Sequence, residues 1–241
     1  MMYALIMGSS GDIGTSTAKT LAKKGWSLYL HYNKNYERTD KLRQQLVRKY
    51  PKQDFIPIKF DMRNEAVESL TKQIFALDAI VFAQGNTYYK LLVDISEKEI
   101  DALWNIHVKL PILILKQLQD KLAKTHHGRI VFIGSIYGKI GSAMEVVYST
   151  VKGAMSSFAD AYAKEVASLG ISVNVVAPGA VNTKMNTQEF SSEDLENVKE
   201  EIPADRLANP DEIADLVSYL VNIESNYLTG QTIYFAGGWL L

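Results

Sequence analysis

Short apolar runs alternate with longer amphipathic segments along the whole chain. Apolar runs that predict strands lie at Tyr3–Met7, Ser27–Tyr32, Asp54–Phe60, Asp78–Ala83, Arg129–Ile133, Ile171–Ala177 and Thr232–Phe235. Segments with helical periodicity lie at Gly14–Lys24, Tyr36–Lys49, Asn64–Phe75, Glu97–Lys121 with a break at Pro111, a stretch through Tyr148 to about Leu169, Thr183–Glu201 and Pro210–Asn222. This alternation predicts an α/β fold, a doubly wound parallel sheet of about seven strands with helices on both faces. Because no linker or repeat interrupts it, residues 1–241 are predicted to form a single domain, with a substrate lid at 184–201.

Composition narrows the possible functions without identifying one. The chain has 241 residues, 47% of them hydrophobic, which is enough for one large core. A net charge of −1 gives no reason to expect nucleic acid or a membrane surface as a partner. There is no cysteine, so disulfides and thiolate metal sites are excluded, and we expect no metal. The first residues lack the pattern of a signal peptide and no apolar run is long enough to span a membrane, which predicts a cytoplasmic protein.

The first predicted strand leads directly into a glycine-rich turn and a helix. The turn reads GSSGDIG at 8–14, and Gly8 follows the strand immediately. In a Rossmann-type fold such a turn aims backbone N–H groups and the positive helix end at a pyrophosphate. The alternative is an ordinary strand–helix turn, and the motif alone leaves it open.

The end of the second predicted strand bears on the choice of nucleotide. In dinucleotide folds an acidic residue about 20 positions after the glycines binds an unphosphorylated ribose. Here that count reaches Lys34, and no acid occurs before Glu37. A cation suits a 2′-phosphate, so NADPH is favoured over NADH. Lys34 as a solvated surface residue remains the alternative.

Three side chains between residues 134 and 152 are candidates for catalysis. Ser135 follows the fifth strand, Tyr148 comes thirteen residues later, and Lys152 four residues after that. On a helix, a four-residue step places Tyr148 and Lys152 on one face, where the ammonium can lower the phenol pKa. Ser135 could hold a carbonyl oxygen against the phenol. The Tyr-x-x-x-Lys pair alone is weak, since a surface tyrosine on an amphipathic helix gives the same pattern.

These segments together resemble the short-chain dehydrogenase/reductase family, most closely its bacterial 3-oxoacyl-[acyl-carrier-protein] reductases. The resemblance covers nearly the whole chain: GSSGDIG, Asp61, Gly85, Ser135, Tyr148-x-x-x-Lys152, NVVAPG at 174–179, PADRLANPDEIA at 203–214 and YLTGQT at 227–232. It implies an enzyme that transfers hydride from NADP(H) to a ketone. A regulator that binds the cofactor without chemistry is the non-enzyme alternative.

The resemblance also implies roles for individual residues. Tyr148 would be the acid/base, Ser135 would orient the substrate carbonyl, and Lys152 would hold the nicotinamide ribose and depress the tyrosine pKa. His107 stands at the fourth position of the family's catalytic tetrad. The cofactor would be bound by Gly8, Ser10, Ile13, Gly14, Asn33, Lys34, Asp61, Met62, Gly85, Tyr148, Lys152, Pro178, Gly179, Val181 and Thr183.

Three positions depart from the family pattern near the expected site. Asp12 replaces the second glycine of the turn, and we expect it to turn away from the pyrophosphate and serve the helix N-terminus. The segment Phe82–Gly85 replaces Asn-Asn-Ala-Gly. His107 replaces the tetrad asparagine, and we predict that it packs or forms hydrogen bonds and is not the acid. Pro111, four residues later, has no N–H, so it leaves the His107 carbonyl without the usual helical partner.

Other features bear on the substrate and the assembly. In the family's acyl-carrier reductases two basic residues dock the acidic carrier; Arg129 matches one, but Leu169 stands at the other. The predicted lid has two lysines against six acids (Lys184, Lys199; Glu189, Glu193, Asp194, Glu196, Glu200, Glu201), which favours a cationic substrate. The alternative is therefore an amine-bearing ketone, and the sequence also resembles reductases of 5-aminopentanone-modified elongation factor P. The resemblance and the apolar end Trp239–Leu241 predict a homotetramer.

Overall fold

The computed structural model describes residues 1–63, 65–184 and 192–239, with side chains only from residue 196 in the last range. Seven parallel strands form one sheet in the order β3-β2-β1-β4-β5-β6-β7. They are β1 Tyr3–Met7, β2 Ser27–Tyr32, β3 Phe55–Lys59, β4 Ala79–Phe82, β5 Arg129–Ile133, β6 Ser172–Pro178 and β7 Gln231–Phe235. The predicted doubly wound α/β fold is confirmed.

Helices connect these strands across both faces of the sheet. They are α1 Asp12–Lys23, α2 Tyr36–Lys49, α3 Glu68–Thr71, α4 Glu97–Trp104, α5 Leu110–Ala123, α6 Tyr137–Ile140, α7 Val146–Val166, α8 Ser192–Glu200 and α9 Pro210–Asn222. The central strands β1 and β4 are apolar and buried at every position because both faces of the sheet are covered. In the neighbouring β2, Leu28 and Leu30 pack with α1, α2 and α9, whereas Tyr29 packs in the layer with α3, α5 and α7.

The strand order reverses direction between β1 and β4, which are neighbours in the sheet. In open parallel sheets, ligands bind at the carboxyl ends of the strands where the order reverses. Gly8, at the end of β1, and Gly85, after β4, therefore lie at one edge with Ser135, which follows β5.

Two predicted helices differ from the structure. The helix expected at Asn64–Phe75 is only the four-residue α3, and Asn64 itself lies outside the described residues. The long helix expected at Glu97–Lys121 is broken by a π-turn at Asn105–Lys109, in which the Leu110 N–H donates to the Asn105 carbonyl. The break thus begins before Pro111.

The predicted lid falls partly outside the described residues. Of the helix expected at Thr183–Glu201, the structure gives α8, and residues 185–191 are not described. None of the helices in the described ranges is long and apolar enough to cross a membrane.

Candidate active site

A cleft of about 660 Å³ opens at the carboxyl ends of β1, β4, β5 and β6. Most of the residues predicted from the sequence line it: Gly8, Ser10, Ile13, Asn33, Lys34, Asp61, Met62, Gly85, His107, Ser135, Tyr148, Lys152, Pro178, Gly179, Val181 and Thr183. Gly14 is the exception, because it lies behind the turn. The sheet therefore brings together segments that are up to 175 positions apart in the sequence.

The glycine turn is shaped by close backbone packing. Gly8 has a φ of 76°, and a Cβ there would lie 2.7 Å from the Gln84 backbone. A Cβ at Gly14 would lie 2.2 Å from the Gly8 carbonyl oxygen, so Gly14 lets the helix approach the turn. The imidazole of His31 stabilises the turn because its Nδ1 accepts the Gly8 N–H at 2.8 Å, while its Nε2–H donates to the Phe60 carbonyl. Burial lowers the pKa of His31 to about 4, so the ring is neutral and its Nδ1 stays an acceptor.

The amino end of α1 faces this cleft without a side-chain cap. Its N-cap residue is Gly11, which has no side chain to accept the first N–H groups of the helix. These donors and the positive helix end suit a phosphate. The glycine turn therefore fits the pyrophosphate of a dinucleotide.

Asp12 has a different role from the one that the sequence predicted. Its carboxylate does not cap α1. Oδ1 pairs with Arg38 Nη2 at 2.5 Å, and Oδ2 accepts the backbone N–H of Lys184 at 2.7 Å. Burial raises the pKa of Asp12, but the hydrogen bonds from Arg38 and Lys184 outweigh it, so the pKa lies below its usual value. Asp12 thus joins α2 to the start of the segment that follows β6.

Three cations surround the end of the cleft beyond β2. Lys34 lies there as predicted, together with Arg38 and Arg63, which sequence reasoning missed. Arg38 is paired with Asp12, and Arg63 is paired with Asp61 at 3.2 Å. Because several cations converge on one end of the cleft, this end suits an additional phosphate group.

Ser135, Tyr148 and Lys152 meet at the middle of the cleft. Tyr148 and Lys152 lie one turn apart on α7, with the lysine Nζ 5.4 Å from the centroid of the phenol ring. The Lys152 side chain is buried, and its Nζ donates to the Ile133 carbonyl at 2.8 Å. Ser135 also lines the cleft, and its hydroxyl lowers the pKa of Tyr148. The predicted constellation is therefore assembled.

The phenol pKa differs from the prediction. Burial raises the pKa of Tyr148, the charge of Glu145 raises it further, and the hydrogen bond with Ser135 only partly opposes this. Burial thus prevails over the predicted lowering, and it also lowers the pKa of Lys152 itself to about 7. The hydroxyl of Tyr148 is consequently protonated at neutral pH, as a proton donor must be.

His107 is a buried neighbour of Tyr148 in edge-to-face contact, with ring centroids 5.7 Å apart. Its Nε2 must carry the hydrogen, because it bonds to the Asn86 carbonyl at 3.0 Å. Burial, followed by the charge of Lys152, lowers the pKa of His107 to about 3. A Cβ at Gly85 would lie 2.8 Å from the imidazole Cε1, so the glycine leaves room for the ring. This geometry agrees with a packing and hydrogen-bonding side chain.

The π-turn explains why Gln84 stands in the segment Phe82–Gly85, which departs from the family's Asn-Asn-Ala-Gly. In its five-residue hydrogen-bond register, Pro111 would be the partner of the Ile106 carbonyl but has no N–H. The side-chain amide of Gln84 supplies the missing donor, with Nε2 3.1 Å from that carbonyl oxygen. Gln84 and the π-turn are therefore structurally coupled.

Acidic and aromatic side chains lie behind the cleft lining, and one of them contacts Thr87, which lines the cleft. Glu145 is only 7% exposed, and its Oε1 accepts the hydroxyl of Thr87 at 2.6 Å. Tyr137 packs against Trp239, with ring centroids 6.2 Å apart at 65°. Burial raises the pKa of Tyr137, and the charges of Glu145 and Glu201 add to this effect.

Arg129 does not have the surface position that carrier docking requires. Its side chain is fully buried. The guanidinium donates to the Ile223 carbonyl at 2.7 Å and to Asn226 Oδ1 at 2.6 Å, at the carboxyl end of α9. Arg129 therefore joins β5 to the end of that helix, and the docking role implied by resemblance is wrong for this residue.

Sequence reasoning missed several residues of the cleft for identifiable reasons. Arg38 lies in the first turn of α2, four positions after Lys34, and a second cation so close in the sequence could have suggested it. His31 carries no local signal because its partners, Gly8 and Phe60, come from two other chain segments.

Comparisons with known proteins agree with this site. A family model described as short chain dehydrogenase matches residues 2–194. The chain is 38% identical over 238 residues to the uncharacterized oxidoreductase YmfI of Bacillus subtilis (strain 168), covering 98% of each. It is 31% identical over 240 residues to the 3-oxoacyl-[acyl-carrier-protein] reductase FabG of Escherichia coli (strain K12), covering 98% of this chain and 96% of the relative.

A solved structure extends the likeness to the fold. The angucycline C-6 ketoreductase LanV, crystallised with bound NADP, matches with a TM-score of 0.91 at 22% identity, covering 99% of this chain and 95% of that chain. At this identity the match shows the fold alone. The family model and the two relatives show more: the chain belongs to the short-chain dehydrogenase family, whose oxidoreductases use NAD(P).

Proposed function

We propose that the protein is an NADPH-dependent carbonyl reductase. The observation that carries this proposal is the meeting of Ser135, Tyr148 and Lys152 at the middle of a cleft whose one end suits a dinucleotide. A cofactor-binding regulator would not need a buried ammonium beside a protonated phenol, because burying a charge is unfavourable.

The side chains of this cleft have complementary tasks in such a reaction. NADPH, when bound, supplies the hydride that reaches the carbonyl carbon. The Ser135 hydroxyl holds the carbonyl oxygen, and Tyr148 donates its phenolic proton to that oxygen as negative charge develops. Lys152 lies one turn from Tyr148 and stabilises the phenolate that remains. The phenolate must then regain a proton, ultimately from solvent, before the next turnover.

The preference for NADPH is supported by the charges at the end of the cleft. Lys34, Arg38 and Arg63 converge there, and the only nearby carboxylates among the described lining residues, Asp12 and Asp61, are paired with the two arginines. The LanV ketoreductase binds NADP with the same fold. Gly8, Ser10 and Ile13 would hold the pyrophosphate, with Asp61 and Met62 toward the adenine and Val181 and Thr183 toward the nicotinamide.

The substrate is a ketone, either one bound to an acyl-carrier protein, as the name of the FabG relative states for that enzyme, or one that bears an amine. Burial of Arg129 removes one docking cation, and Leu169 stands at the other position. Both observations favour the second candidate, an amine-bearing ketone such as 5-aminopentanone-modified elongation factor P. Acids at the described end of the lid, Glu196, Glu200 and Glu201, are exposed and favour it too.

The test is NADPH oxidation by purified protein with a panel of ketones. The wild-type protein is expected to turn over at least one ketone, and Tyr148→Phe should lower kcat by about 10²- to 10⁴-fold, because a general acid contributes about that much. NADPH affinity should stay nearly intact. Tyr162→Phe is the matched control, since Tyr162 lies on the same helix and bonds to Gln119 away from the cleft. A Tyr148→Phe enzyme within threefold of wild type would refute the mechanism.

We also propose a homotetramer formed by a cytoplasmic protein. Apolar side chains are exposed on α4 and at the start of α7, including Ile100, Trp104 and Val146. A second copy would cover them. Trp239 already packs against Tyr137, and Leu240 and Leu241 lie outside the described residues. Sedimentation of a 27.0 kDa species at micromolar concentration would exclude the tetramer.

A further inference from the structure

One carboxylate connects two parts of the cleft that bind opposite ends of a dinucleotide. Asp12 lies in the first turn of α1, where its Oδ1 pairs with Arg38 Nη2 at 2.5 Å and its Oδ2 accepts the Lys184 N–H at 2.7 Å. We call Arg38, Asp12 and the Lys184 N–H the Asp12 bridge. Because each carboxylate oxygen holds one partner, the position of the first partner affects the bond to the second.

Arg38 is the end of the Asp12 bridge that can bind a 2′-phosphate. It lines the cleft beyond β2 together with Lys34 and Arg63. Its bond to Asp12 uses Nη2, and a guanidinium has five N–H donors in a planar fork, so further donors can meet a phosphate. The Arg38 side chain is partly exposed, so water competes with Asp12 for it. A phosphate on the fork is therefore expected to hold the guanidinium against Asp12.

Lys184 is the other end of the Asp12 bridge, and its backbone position affects Thr183. The N–H groups on both sides of Thr183 are tethered, since Asn182 donates to the Ala208 carbonyl at 2.8 Å and Lys184 donates to Asp12. Thr183 lines the cleft and, under the proposed function, lies toward the nicotinamide. The first tether joins two backbone groups, whereas the second depends on a side chain that an arginine holds. The second is therefore the tether that a cofactor phosphate can strengthen.

We propose that Asp12 is a positioning residue that couples the 2′-phosphate of the cofactor to the nicotinamide end of the cleft. With a 2′-phosphate bound, Arg38 holds Asp12, and Asp12 fixes the backbone directly after Thr183. With a 2′-hydroxyl in its place, Arg38 exchanges Asp12 for water and this backbone is held less well. The inference rests on the proposed carbonyl reductase function. It adds that the 2′-phosphate speeds hydride transfer as well as increasing affinity, because transfer is sensitive to small displacements.

The experiment measures the single-turnover rate of hydride transfer to one ketone at saturating NADPH and at saturating NADH. Saturation removes the difference in affinity, and a single turnover excludes product release. Wild-type enzyme should be at least fivefold faster with NADPH. Asp12→Asn should bring this ratio to within about twofold of one by slowing NADPH, with little change for NADH. The asparagine keeps an oxygen for the Lys184 N–H but loses the charge that pairs with Arg38.

Further variants separate this coupling from a general loss of structure. Arg38→Met should give the same ratio as Asp12→Asn, and the double variant should lose nothing more, because both substitutions break one bridge. Asp40→Asn is the matched control and should keep the wild-type ratio, since Asp40 pairs with Arg43 at 2.8 Å on α2, outside the cleft lining. A wild-type ratio near one, a ratio unchanged in Asp12→Asn, or equal losses with both cofactors would overturn the proposal.

Hydrogen exchange of the Lys184 amide tests the Asp12 bridge without a ketone. The probes are adenosine 2′,5′-bisphosphate and adenosine 5′-monophosphate, which differ by the 2′-phosphate and carry no nicotinamide. At saturation the bisphosphate should slow this exchange at least threefold more than the monophosphate does, and Asp12→Asn should remove the difference.

The exchange measurement also separates the Asp12 bridge from the proposed function. If no ketone is reduced but the two probes differ as expected, and Asp12→Asn removes that difference, the coupling stands and the reductase proposal fails. If ketones are reduced at the same rate with both cofactors and the two probes protect the Lys184 amide equally, the reductase proposal stands and the coupling is wrong.

Discussion

Charged side chains are buried in the middle of the cleft but partly exposed at its end beyond β2. We call that second region, lined by Lys34, Arg38 and Arg63, the adenosine end, because we expect the adenosine of the cofactor there. In the middle, Lys152 is buried, and its Nζ has a backbone carbonyl as its partner. At the adenosine end, Arg38 and Arg63 are partly exposed, with 29% and 37% of their side chains accessible, and each is paired with a carboxylate. The loss of hydration therefore dominates the energetics of the charge in the first region. In the second region, pairing with a carboxylate at the solvent-exposed surface dominates.

This difference predicts how strongly each region responds to substitution. Removing a buried charge changes both stability and chemistry, because solvent does not compensate for it. Removing a partly exposed cation changes affinity by a smaller amount, since water and salt screen the interaction. The catalytic centre should therefore be sensitive in nearly every property, whereas the adenosine end should alter cofactor choice alone.

Lys152→Met should give the largest effect and move activity and stability in opposite directions. We expect kcat/KM to fall by at least 100-fold and NADPH affinity to weaken, because Lys152 stabilises the phenolate and lies where the cofactor ribose is expected. The unfolding free energy at pH 7 should rise by about 1–4 kcal/mol, because a buried ammonium is replaced by an apolar side chain of similar length.

The gain in stability should depend on pH in a defined direction. Burial lowers the pKa of Lys152 from 10.5, the value of an unperturbed lysine, to about 7. Between pH 7 and pH 10.5 the unfolded chain therefore holds a proton that the folded chain lacks. Wild-type stability therefore rises with pH through this window relative to Lys152→Met. The advantage of the variant in urea unfolding should be largest at pH 7 and shrink toward pH 10. A constant difference over that range would contradict the lowered lysine pKa.

At the adenosine end, Lys34→Asp should shift the preference from NADPH toward NADH. Loss of a cation that meets a phosphate should weaken NADPH binding by about 1.5–3 kcal/mol, or roughly 10- to 150-fold, with little change for NADH. Dissociation constants from cofactor fluorescence would measure this. Lys41→Asp is the matched control, since Lys41 is exposed on α2 and does not line the cleft. Equal losses for both cofactors would mean that Lys34 does not contact the 2′-phosphate.

The sequence predicted the features that depend on local patterns. The bounds of β1, β2, β5, α2 and α9 agree with the structure because apolar periodicity and caps, such as Pro210 at the start of α9, are local. The buried position of Arg129 could not be predicted, because its acceptors lie about 95 residues away, at the end of α9. The π-turn depends in the same way on Gln84, which follows β4 and lies 22 residues from Ile106 in the sequence.

His107→Asn should have the smallest effect on turnover, because the imidazole neither donates nor takes a proton at neutral pH. Its Nε2–H is bonded to the Asn86 carbonyl, and its pKa of about 3 keeps the ring uncharged. We expect kcat within threefold of wild type between pH 6 and 9. The unfolding free energy should fall by about 1–2 kcal/mol, because a smaller buried side chain loses packing against Gly85 and Tyr148.

Pro111→Ala tests the backbone in the same region and should slow turnover more than His107→Asn does. The new N–H can pair with the Ile106 carbonyl, in competition with Gln84, or with the His107 carbonyl in α-helical register. Resemblance to the family implies that this second carbonyl holds the water of a proton relay, which returns protons through Lys152. Either pairing would tighten the π-turn beneath Tyr148. Pro210→Ala is the matched control, because Pro210 also begins a helix but lies away from the centre of the cleft. If His107→Asn loses a hundredfold in kcat while Pro111→Ala is unaffected, the imidazole itself carries the role, because backbone register would then have no part in the relay.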